Sequence, residues 1–412
     1  RSLLIRLPRP RSASLRVGDI AGPFALKRRP VRQLAIHSCW HFVPRVLLSR
    51  EMKMHVVFVL NLWIEHLGIM QVMSSLVSRG HKVGLCVSSR PDKILRELLA
   101  SRPDIVAFSL TTNNYHWALA LSRRIAATMP GTRIIAGGPH PTLFPSFCEG
   151  SAIDAVCIGE GDDAMGEWVD DIGSGGSGHG VPGIWQKLDG TLCPTPLRAL
   201  IDPLDNVPFG HRDPFYCRTF FKNTPFKSFV ASRGCEYGCR FCYNSRFRKL
   251  LEPAGRYRRT MSPERVIAEI TAVRRAYPLR LVIFEDDIFP HETSWLERFA
   301  ELYLGRVGLP FLINTRANLL NDHNVYLYKA AGVQGVAFGV QAGDETRRLG
   351  QLGTGVDDKT LEGAAALLHR HGIPFLTYNM FGLPGERASD VYHTIRFNRR
   401  LGATHGRFVM FQ

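Results

Sequence analysis

The chain has 412 residues, of which 45% are hydrophobic and 21% are charged, a composition typical of a globular protein with two or three domains. No apolar run approaches the roughly 18–20 residues that a membrane-spanning helix needs, which excludes an integral membrane protein. The formal net charge of +16 suggests a polyanionic partner, but residues 1–53 hold twelve Lys or Arg residues against two acidic ones. Nucleic-acid binding is therefore not expected of the remaining chain.

The cysteine usage and the N-terminus bear on the compartment. Nine cysteines are too few and too unevenly spaced for a disulfide scaffold, which indicates a reducing, cytoplasmic environment. Residues 1–53 lack the uninterrupted apolar stretch of a secretory signal. They are predicted to be a basic extension that is disordered or belongs to a mis-started reading frame, with Met52 or Met54 as natural starts.

Residues 54–172 predict an α/β domain with a doubly wound, Rossmann-like parallel sheet. Apolar strand-like segments alternate with helices of amphipathic spacing, which requires crossover connections between parallel strands. Strands are predicted at residues 55–60, 82–86, 104–110, 133–136 and 155–158. Ligands of such a sheet bind at the carboxyl ends of its strands.

Residues 173–224 begin with a Gly/Ser tract and continue with many prolines, which predicts a linker. Residues 225–412 then alternate again, with strands predicted at residues 228–232, 281–284, 311–314, 336–340, 375–381 and 407–411. About six β/α units predict a partial (β/α) barrel of the TIM type. The chain stops in a strand-like segment, so we expect a truncation at its C-terminus.

The strongest chemical signal is a C-x3-C-x2-C motif directly after the first barrel strand, formed by Cys235, Cys239 and Cys242. Three closely spaced soft thiolates can each bind one iron of a cubane iron–sulfur cluster, which leaves the fourth iron without a protein ligand. A structural zinc site is the alternative interpretation. Zinc takes four ligands, however, and no second Cys/His pair lies close downstream.

This motif, with the aromatic Phe241 before its third cysteine, resembles the radical S-adenosylmethionine (SAM) superfamily. The resemblance implies a [4Fe-4S] cluster whose open iron chelates SAM and whose electron cleaves it to a 5'-deoxyadenosyl radical. It also implies a small-molecule substrate and an electron donor such as flavodoxin or ferredoxin.

Further segments resemble the SAM contacts of this superfamily. Residues 339–343 resemble the G-V-E-S-G pattern with Gln341 in place of the glutamate, and residues 382–386 resemble a G-x-P-G-E turn that packs near adenine. Taken alone, each is as readily an ordinary glycine turn, and Arg316 is as readily a helix-surface arginine. The SAM-binding residues implied by the resemblance are Phe241, Arg316, Gln341, Gly382, Pro384 and Gly385.

An acidic run and a basic run lie close to the expected reaction face. Glu285, Asp286 and Asp287, followed by Phe289, resemble the "DD-x-F" segment of cobalamin-binding members and are predicted to face the substrate; a solvated turn is the alternative. The basic residues between 246 and 259 are expected to neutralise the cluster, SAM or an acidic substrate.

The N-terminal domain resembles the cobalamin-binding domains that are fused to radical SAM barrels. Small and hydroxylated residues at strand ends allow a large flat corrin to approach the backbone. The cobalamin-binding residues implied by the resemblance are Leu67, Gly68, Ser109, Thr111, Thr112, Gly137, Gly138, Pro139, His140, Gly159 and Glu160. No D-x-H-x-x-G segment occurs, so cobalamin is expected without a protein histidine on cobalt, and His66 is interpreted as a loop residue.

The two resemblances together imply a cobalamin-dependent radical SAM enzyme, most simply a methyltransferase acting at an unactivated carbon of a small molecule or natural product. A non-methylating oxidative cyclase of the anaerobic magnesium-protoporphyrin IX monomethyl ester type shares the same domain order and is an alternative. A non-catalytic iron–sulfur or corrinoid binding protein is another. The sequence identifies no catalytic side chain beyond these binding residues.

Overall fold

The computed structural model describes residues 2–6, 54–217 and 220–411. The predicted basic extension therefore lies outside the described residues, apart from strand β1 (Ser2–Arg6). This strand pairs antiparallel with the last strand of the second sheet, an element that the sequence does not predict.

The first sheet has seven strands in the spatial order β3-β2-β4-β5-β6-β7-β8. Its strands are β2 (His55–Leu60), β3 (Lys82–Val87), β4 (Ile105–Ser109), β5 (Arg133–Gly137), β6 (Ala155–Cys157), β7 (Ile184–Leu188) and β8 (Thr191–Cys193). The first five strands are parallel, as predicted, and β7 and β8 are antiparallel. The helices of this domain are α1 (Leu67–Ser78), α2 (Pro91–Ser101), α3 (Tyr115–Thr128), α4 (Pro139–Leu143) and α5 (Gly161–Gly173).

The sheet forms because its central strands are apolar on both faces. In β2, Val56 and Phe58 face a core that contains helices α1 and α5, whereas Val57 and Val59 face a core that contains α2 and α3. Helices cover both faces, and ligands of sheets with this arrangement bind at the carboxyl edge of the strands. The doubly wound arrangement is confirmed.

A hairpin extends this sheet within the stretch that the sequence predicts as a linker. Its tight turn contains Asp189 and Gly190, both at positive φ angles (48° and 81°). Such Asp-Gly pairs favour two-residue hairpin turns, because these turns need positive φ at both central positions. Strand β7 pairs with β6, so residues 184–193 belong to the first sheet rather than to a free linker.

The second sheet is an open half-barrel in the order β1-β16-β15-β14-β13-β12-β9, in which the six strands other than β1 are parallel. These strands are β9 (Phe226–Phe229), β12 (Leu281–Phe284), β13 (Phe311–Thr315), β14 (Val333–Gln341), β15 (Phe375–Phe381) and β16 (His405–Met410). The helices of this part are α6 (Asp213–Tyr216), α7 (Tyr243–Leu251), α8 (Pro263–Ala276), α9 (Thr293–Arg306), α10 (Asp322–Ala331), α11 (Asp358–Arg370) and α12 (Ala388–Arg400). The partial barrel is confirmed.

A small two-stranded sheet lies between the barrel and the first domain. It pairs β10 (Ser232–Arg233) with β11 (Arg259–Thr260) and brackets the cysteine loop and helix α7. The outer strand β9 is covered by side chains: the Ser228 N–H donates to Glu65 Oε2 (2.8 Å), and the Ser228 carbonyl accepts from Arg212 (3.0 Å). These two side chains satisfy backbone groups that an exposed edge strand leaves unpaired.

In the part of the chain that the structure describes, no helix is long and apolar enough to cross a membrane.

The barrel core between the strands and helices α8 to α11 is rich in aromatic rings. Phe289 is fully buried, and its ring centroid lies 4.7 Å from that of Phe284 and 5.4 Å from that of Phe299.

We expect Phe289→Ala to lower the free energy of unfolding by about 3–5 kcal/mol, because it removes these contacts and leaves a cavity. Leu304→Ala, on the exposed face of α9, is the matched control, with an expected change within about 0.5 kcal/mol. Equal effects of both substitutions in urea titrations would contradict this packing.

Candidate functional site

The cysteine motif forms a loop between β10 and α7, at the carboxyl end of the first barrel strand. Gly234 enters this loop with a φ angle of 80°, and a Cβ at this position would lie 2.5 Å from the Tyr257 carbonyl oxygen. Only glycine fits such a left-handed turn against neighbouring backbone. Cys242 then ends the loop as the N-cap residue of α7.

The loop is held by side chains from later strand ends. Arg316, which follows β13, donates to Cys239 Sγ (3.4 Å) and to the Thr354 carbonyl (2.6 Å), and its guanidinium lies 3.6 Å from the centre of the Tyr237 ring. The Arg240 N–H donates to the Leu352 carbonyl (2.9 Å). The predicted SAM residue Arg316 therefore lies beside the cysteines.

The three thiols suit a cluster better than a single metal ion. All three are free, and burial raises the pKa of Cys235 to about 11 and also raises that of Cys242, so metal binding must displace their protons. Among the described residues no three His, Cys, Asp or Glu side chains converge as ligands of one ion. In a cubane cluster each thiolate binds a different iron, so this spacing of soft sulfur donors fits that group.

A second predicted SAM residue, Phe241, belongs to this loop, and a third, Gln341, precedes a residue that Phe241 packs against, Ala342. Phe241 packs against an apolar cluster at the ends of β14 and β15, which contains Ala342 and Met380. Gln341 ends β14 with a φ angle of 69°, a conformation that is rare for a residue with a side chain. Its amide folds back over Gly339, where a Cβ would come within 2.3 Å of Gln341 Nε2.

The glycine turn after β15 is closed by its own residues. Gly382 and Gly385 have φ angles of 80° and 70°, and the N–H groups of Gly382 (2.5 Å) and Leu383 (3.1 Å) donate to Glu386 Oε2. Arg347 donates to the Pro384 carbonyl (3.1 Å). The turn is thus rigid at the barrel's carboxyl edge, where the sequence places it.

The acidic run divides into three environments. Glu285 is exposed and accepts from Ser228 Oγ (3.3 Å), whereas Asp287 lies beside the cysteine loop and is hydrogen-bonded to Tyr243. Asp286 is 2% exposed. It accepts from the Ala231 N–H (3.0 Å), and burial raises its pKa to about 7. Asp286 therefore anchors the strand that leads into the cysteine loop, which differs from its predicted substrate-facing position.

The cobalamin residues implied by the resemblance lie at the carboxyl edge of the first sheet. They end or follow four of its strands: β2 (Leu67, Gly68), β4 (Ser109, Thr111, Thr112), β5 (Gly137, Gly138, Pro139, His140) and β6 (Gly159, Glu160). Gly138 has a φ angle of 98°, and a Cβ there would lie 2.9 Å from the Leu110 carbonyl. Close packing of neighbouring strand ends thus already requires this glycine.

Both histidines at this edge have local partners. His66 Nδ1 accepts from the Ile69 N–H (3.4 Å) and its Nε2 lies 3.0 Å from Ser109 Oγ. Burial lowers the pKa of His66 to about 4, so the ring is neutral. His140 Nδ1 lies 3.2 Å from Thr112 Oγ1, its ring stacks on Tyr115, and its buried Nε2 has no hydrogen-bond partner.

Glu160 is bound by arginines of the second domain. Arg259 donates to Glu160 Oε1 (2.7 Å) and Oε2 (3.1 Å), and Arg233 lies 2.9 Å from Oε1. Burial alone would raise the pKa of Glu160, but the Arg259 hydrogen bonds and the Arg233 charge outweigh it and lower the pKa to about 2. Arg259 is thus engaged by a protein carboxylate, whereas the sequence suggests a cofactor or substrate.

Arg233 and Asp162 are not among the site residues that the sequence predicts. Arg233 donates to Asp162 at 3.0 Å with both terminal nitrogens, although 71 positions separate the two residues. The sequence shows only that an arginine lies two residues before Cys235. Its partner could not be inferred without the fold.

Two family models match the chain. The B12 binding domain matches residues 56–169, and the radical SAM superfamily matches residues 229–397. Together they span most of the parallel strands of the two sheets and the cysteine loop.

The chain is also similar to curated relatives and to a solved structure over most of its length. The chain is 26% identical over 346 residues to an uncharacterized methyltransferase of Pyrococcus horikoshii, with 82% of this chain and 74% of the relative covered. It is 30% identical over 295 residues to the hopanoid C-3 methylase of Methylococcus capsulatus, with 68% of this chain covered but only 54% of the relative. The radical SAM methyltransferase TsrM of Kitasatospora setae, solved with tryptophan and a SAM analog, superposes with a TM-score of 0.66 at 17% identity, over 85% of this chain and 71% of that one.

The TsrM likeness shows the shared fold alone, whereas the matching models identify both domains in the order that the structure displays. The chain therefore belongs to the radical SAM enzymes that carry a B12-binding domain, and these two domains imply SAM with a [4Fe-4S] cluster and cobalamin as cofactors.

Proposed function

We propose that the protein is a methyltransferase that uses cobalamin and SAM to methylate an unactivated carbon of a small molecule. The observation that carries this proposal is the contact between two carboxyl edges: the Gly159–Glu160 turn of the first sheet adjoins Arg233 and Arg259, which bracket the cysteine loop. Cofactors bound at these two edges would lie close to each other.

The cysteine loop supplies the ligands for the cluster. Cys235, Cys239 and Cys242 would each hold one iron, and Arg316 places a cation beside Cys239. When bound, the cluster supplies the electron that cleaves SAM, and cobalamin supplies the methyl group. The protein's own contribution is to hold these groups in register and to exclude water from the space between them.

The barrel edge supplies the SAM contacts in this proposal. Phe241 presents an aromatic face, Gln341 offers an amide in a fixed left-handed conformation, and the turn from Gly382 to Gly385 allows close backbone approach. Glu285 remains exposed at the same edge and is available to a substrate. A reduced carrier protein such as flavodoxin or ferredoxin is the proposed electron source.

The function can be tested before the substrate is known. Anaerobically reconstituted protein with cobalamin, a reductant and methyl-labelled SAM should form 5'-deoxyadenosine and labelled methylcobalamin. 5'-Deoxyadenosine without labelled methylcobalamin would favour a non-methylating enzyme. Neither product, with the iron–sulfur spectrum intact, would contradict an enzymatic function.

The cluster ligands can be tested by iron content. Cys239→Ala removes one of three ligands, so iron bound after reconstitution should fall to a small fraction of that in the unsubstituted protein. Cys193→Ala, on the β7–β8 hairpin, is the matched control and should retain full iron. A Cys239→Ala protein with full iron and an unchanged absorption spectrum would refute the ligand assignment.

Cobalt coordination is tested separately. His66 uses both ring nitrogens within the fold, so bound cob(II)alamin should lack nitrogen hyperfine splitting from His66 in its EPR spectrum. His66→Asn keeps a helix-capping side chain and should leave that spectrum unchanged. A histidine splitting that disappears in His66→Asn would show that the protein does ligate cobalt.

A further inference from the structure

Four charged side chains join the two domains at one buried point, which we call the interdomain clasp: Glu160, Asp162, Arg233 and Arg259. The carboxylates lie at the start of α5, directly after the last parallel strand of the first sheet. The arginines face each other across the β10–β11 pair.

Within the clasp two positive charges balance two negative charges, and each arginine forms hydrogen bonds with a carboxylate. Arg259 binds both oxygens of Glu160, and Arg233 binds both oxygens of Asp162 and also approaches Glu160. Arg233 also donates to Gln71 Oε1 (2.7 Å), a buried side chain on α1. Two cations therefore meet two anions with paired guanidinium–carboxylate geometry, which fixes orientation as well as distance.

The clasp is shielded from water. The side chains of Arg259 and Asp162 are 2% and 6% exposed, and those of Glu160 and Arg233 are 15% and 17% exposed. Buried pairs of this kind add little net stability compared with apolar packing, but removal of one partner leaves an uncompensated charge. Their value lies in defining one arrangement of the parts they join, which here are two domains.

The position of the clasp connects it to the cofactor sites. Arg233 is the last residue of β10, followed by Gly234 and then by Cys235, the first cysteine of the loop. Glu160 follows Gly159, which lies at the carboxyl edge of the first sheet, where an added Cβ would lie 3.2 Å from the Leu251 side chain on α7. Each end of the clasp is thus one or two residues from a predicted cofactor contact.

We infer that the clasp sets the separation and orientation of the cluster relative to the corrin, with Glu160 acting as a positioning residue rather than as a cobalamin ligand. Both Glu160 oxygens are occupied by arginine, and Oε2 also accepts from the Ile201 N–H (3.1 Å). The inference rests on the proposed function, since it requires both cofactors in one chain.

Pulsed EPR on the reconstituted protein can measure the dipolar coupling between cob(II)alamin and the reduced cluster. The unsubstituted protein should give one narrow distance distribution. Glu160→Gln keeps size but removes charge, and it should broaden or shift this distribution while iron and cobalamin content stay the same. Asp162→Asn should act in the same direction, and Asp163→Asn, one residue along α5, should match the unsubstituted protein.

Hydrogen exchange on the cofactor-free chain gives a second readout that does not depend on loading. Amides of residues 232–235 and 259–260 should exchange about tenfold faster or more in Glu160→Gln, because an unpaired buried charge favours local opening. If Glu160→Gln does not fold, the same measurement on Asp162→Asn tests the clasp.

The outcomes separate the clasp from the proposed function. Unchanged distances and unchanged exchange in both variants would overturn the clasp. Loss of cobalamin in Glu160→Gln, with exchange at these amides unchanged, would instead make Glu160 a ligand and also overturn it. An unsubstituted protein that binds no cluster or no cobalamin would contradict the proposed function, while hydrogen exchange would still test the clasp.

Discussion

The bidentate ion pairs of Arg233 with Asp162 and of Arg259 with Glu160 connect two sheets whose buried cores are separate clusters. A parallel sheet covered by helices binds its ligands at the carboxyl ends of its strands. A reaction that needs groups from both sheets therefore requires these edges to adjoin. The ion pairs hold the two edges together at a place with little exposure to water. A guanidinium without its carboxylate would be destabilising there.

The cysteine loop is likewise held in place by contacts from several strands. Gly234 turns the backbone where a side chain would strike Tyr257, and buried Asp286 ties the preceding residues to the end of β12. Arg316 then reaches the loop from β13. Three separate strands thus fix the positions of the thiols, so cluster geometry depends on the barrel as a whole.

Much of the fold follows from the sequence because it rests on local pattern. The predicted strands at residues 55–60, 281–284 and 375–381 coincide with β2, β12 and β15, since apolar runs bounded by turn residues need no tertiary information. The cysteine motif is likewise local. The Asp189–Gly190 pair also indicates a hairpin turn, but the many prolines around it favour the interpretation as a linker.

The remainder of the candidate site depends on distant partners. Arg233 and Asp162 are far apart in sequence, and no periodicity connects them. The three adjacent carboxylates from Glu285 to Asp287 look alike in sequence, yet only Asp286 is buried, because it packs against Ala231 and Ser232 of a distant segment. The left-handed conformation of Gln341 coincides with a register shift in the pairing of β14 with β15 between Gly339 and Gln341.

Anomalous scattering from anaerobic crystals grown with cobalamin and SAM would test the central claim most directly, because iron and cobalt are located separately. The account predicts iron at Cys235, Cys239 and Cys242, and cobalt at the carboxyl edge of the first sheet, facing the barrel. Cobalt at any other place, or iron away from these three cysteines, would contradict it.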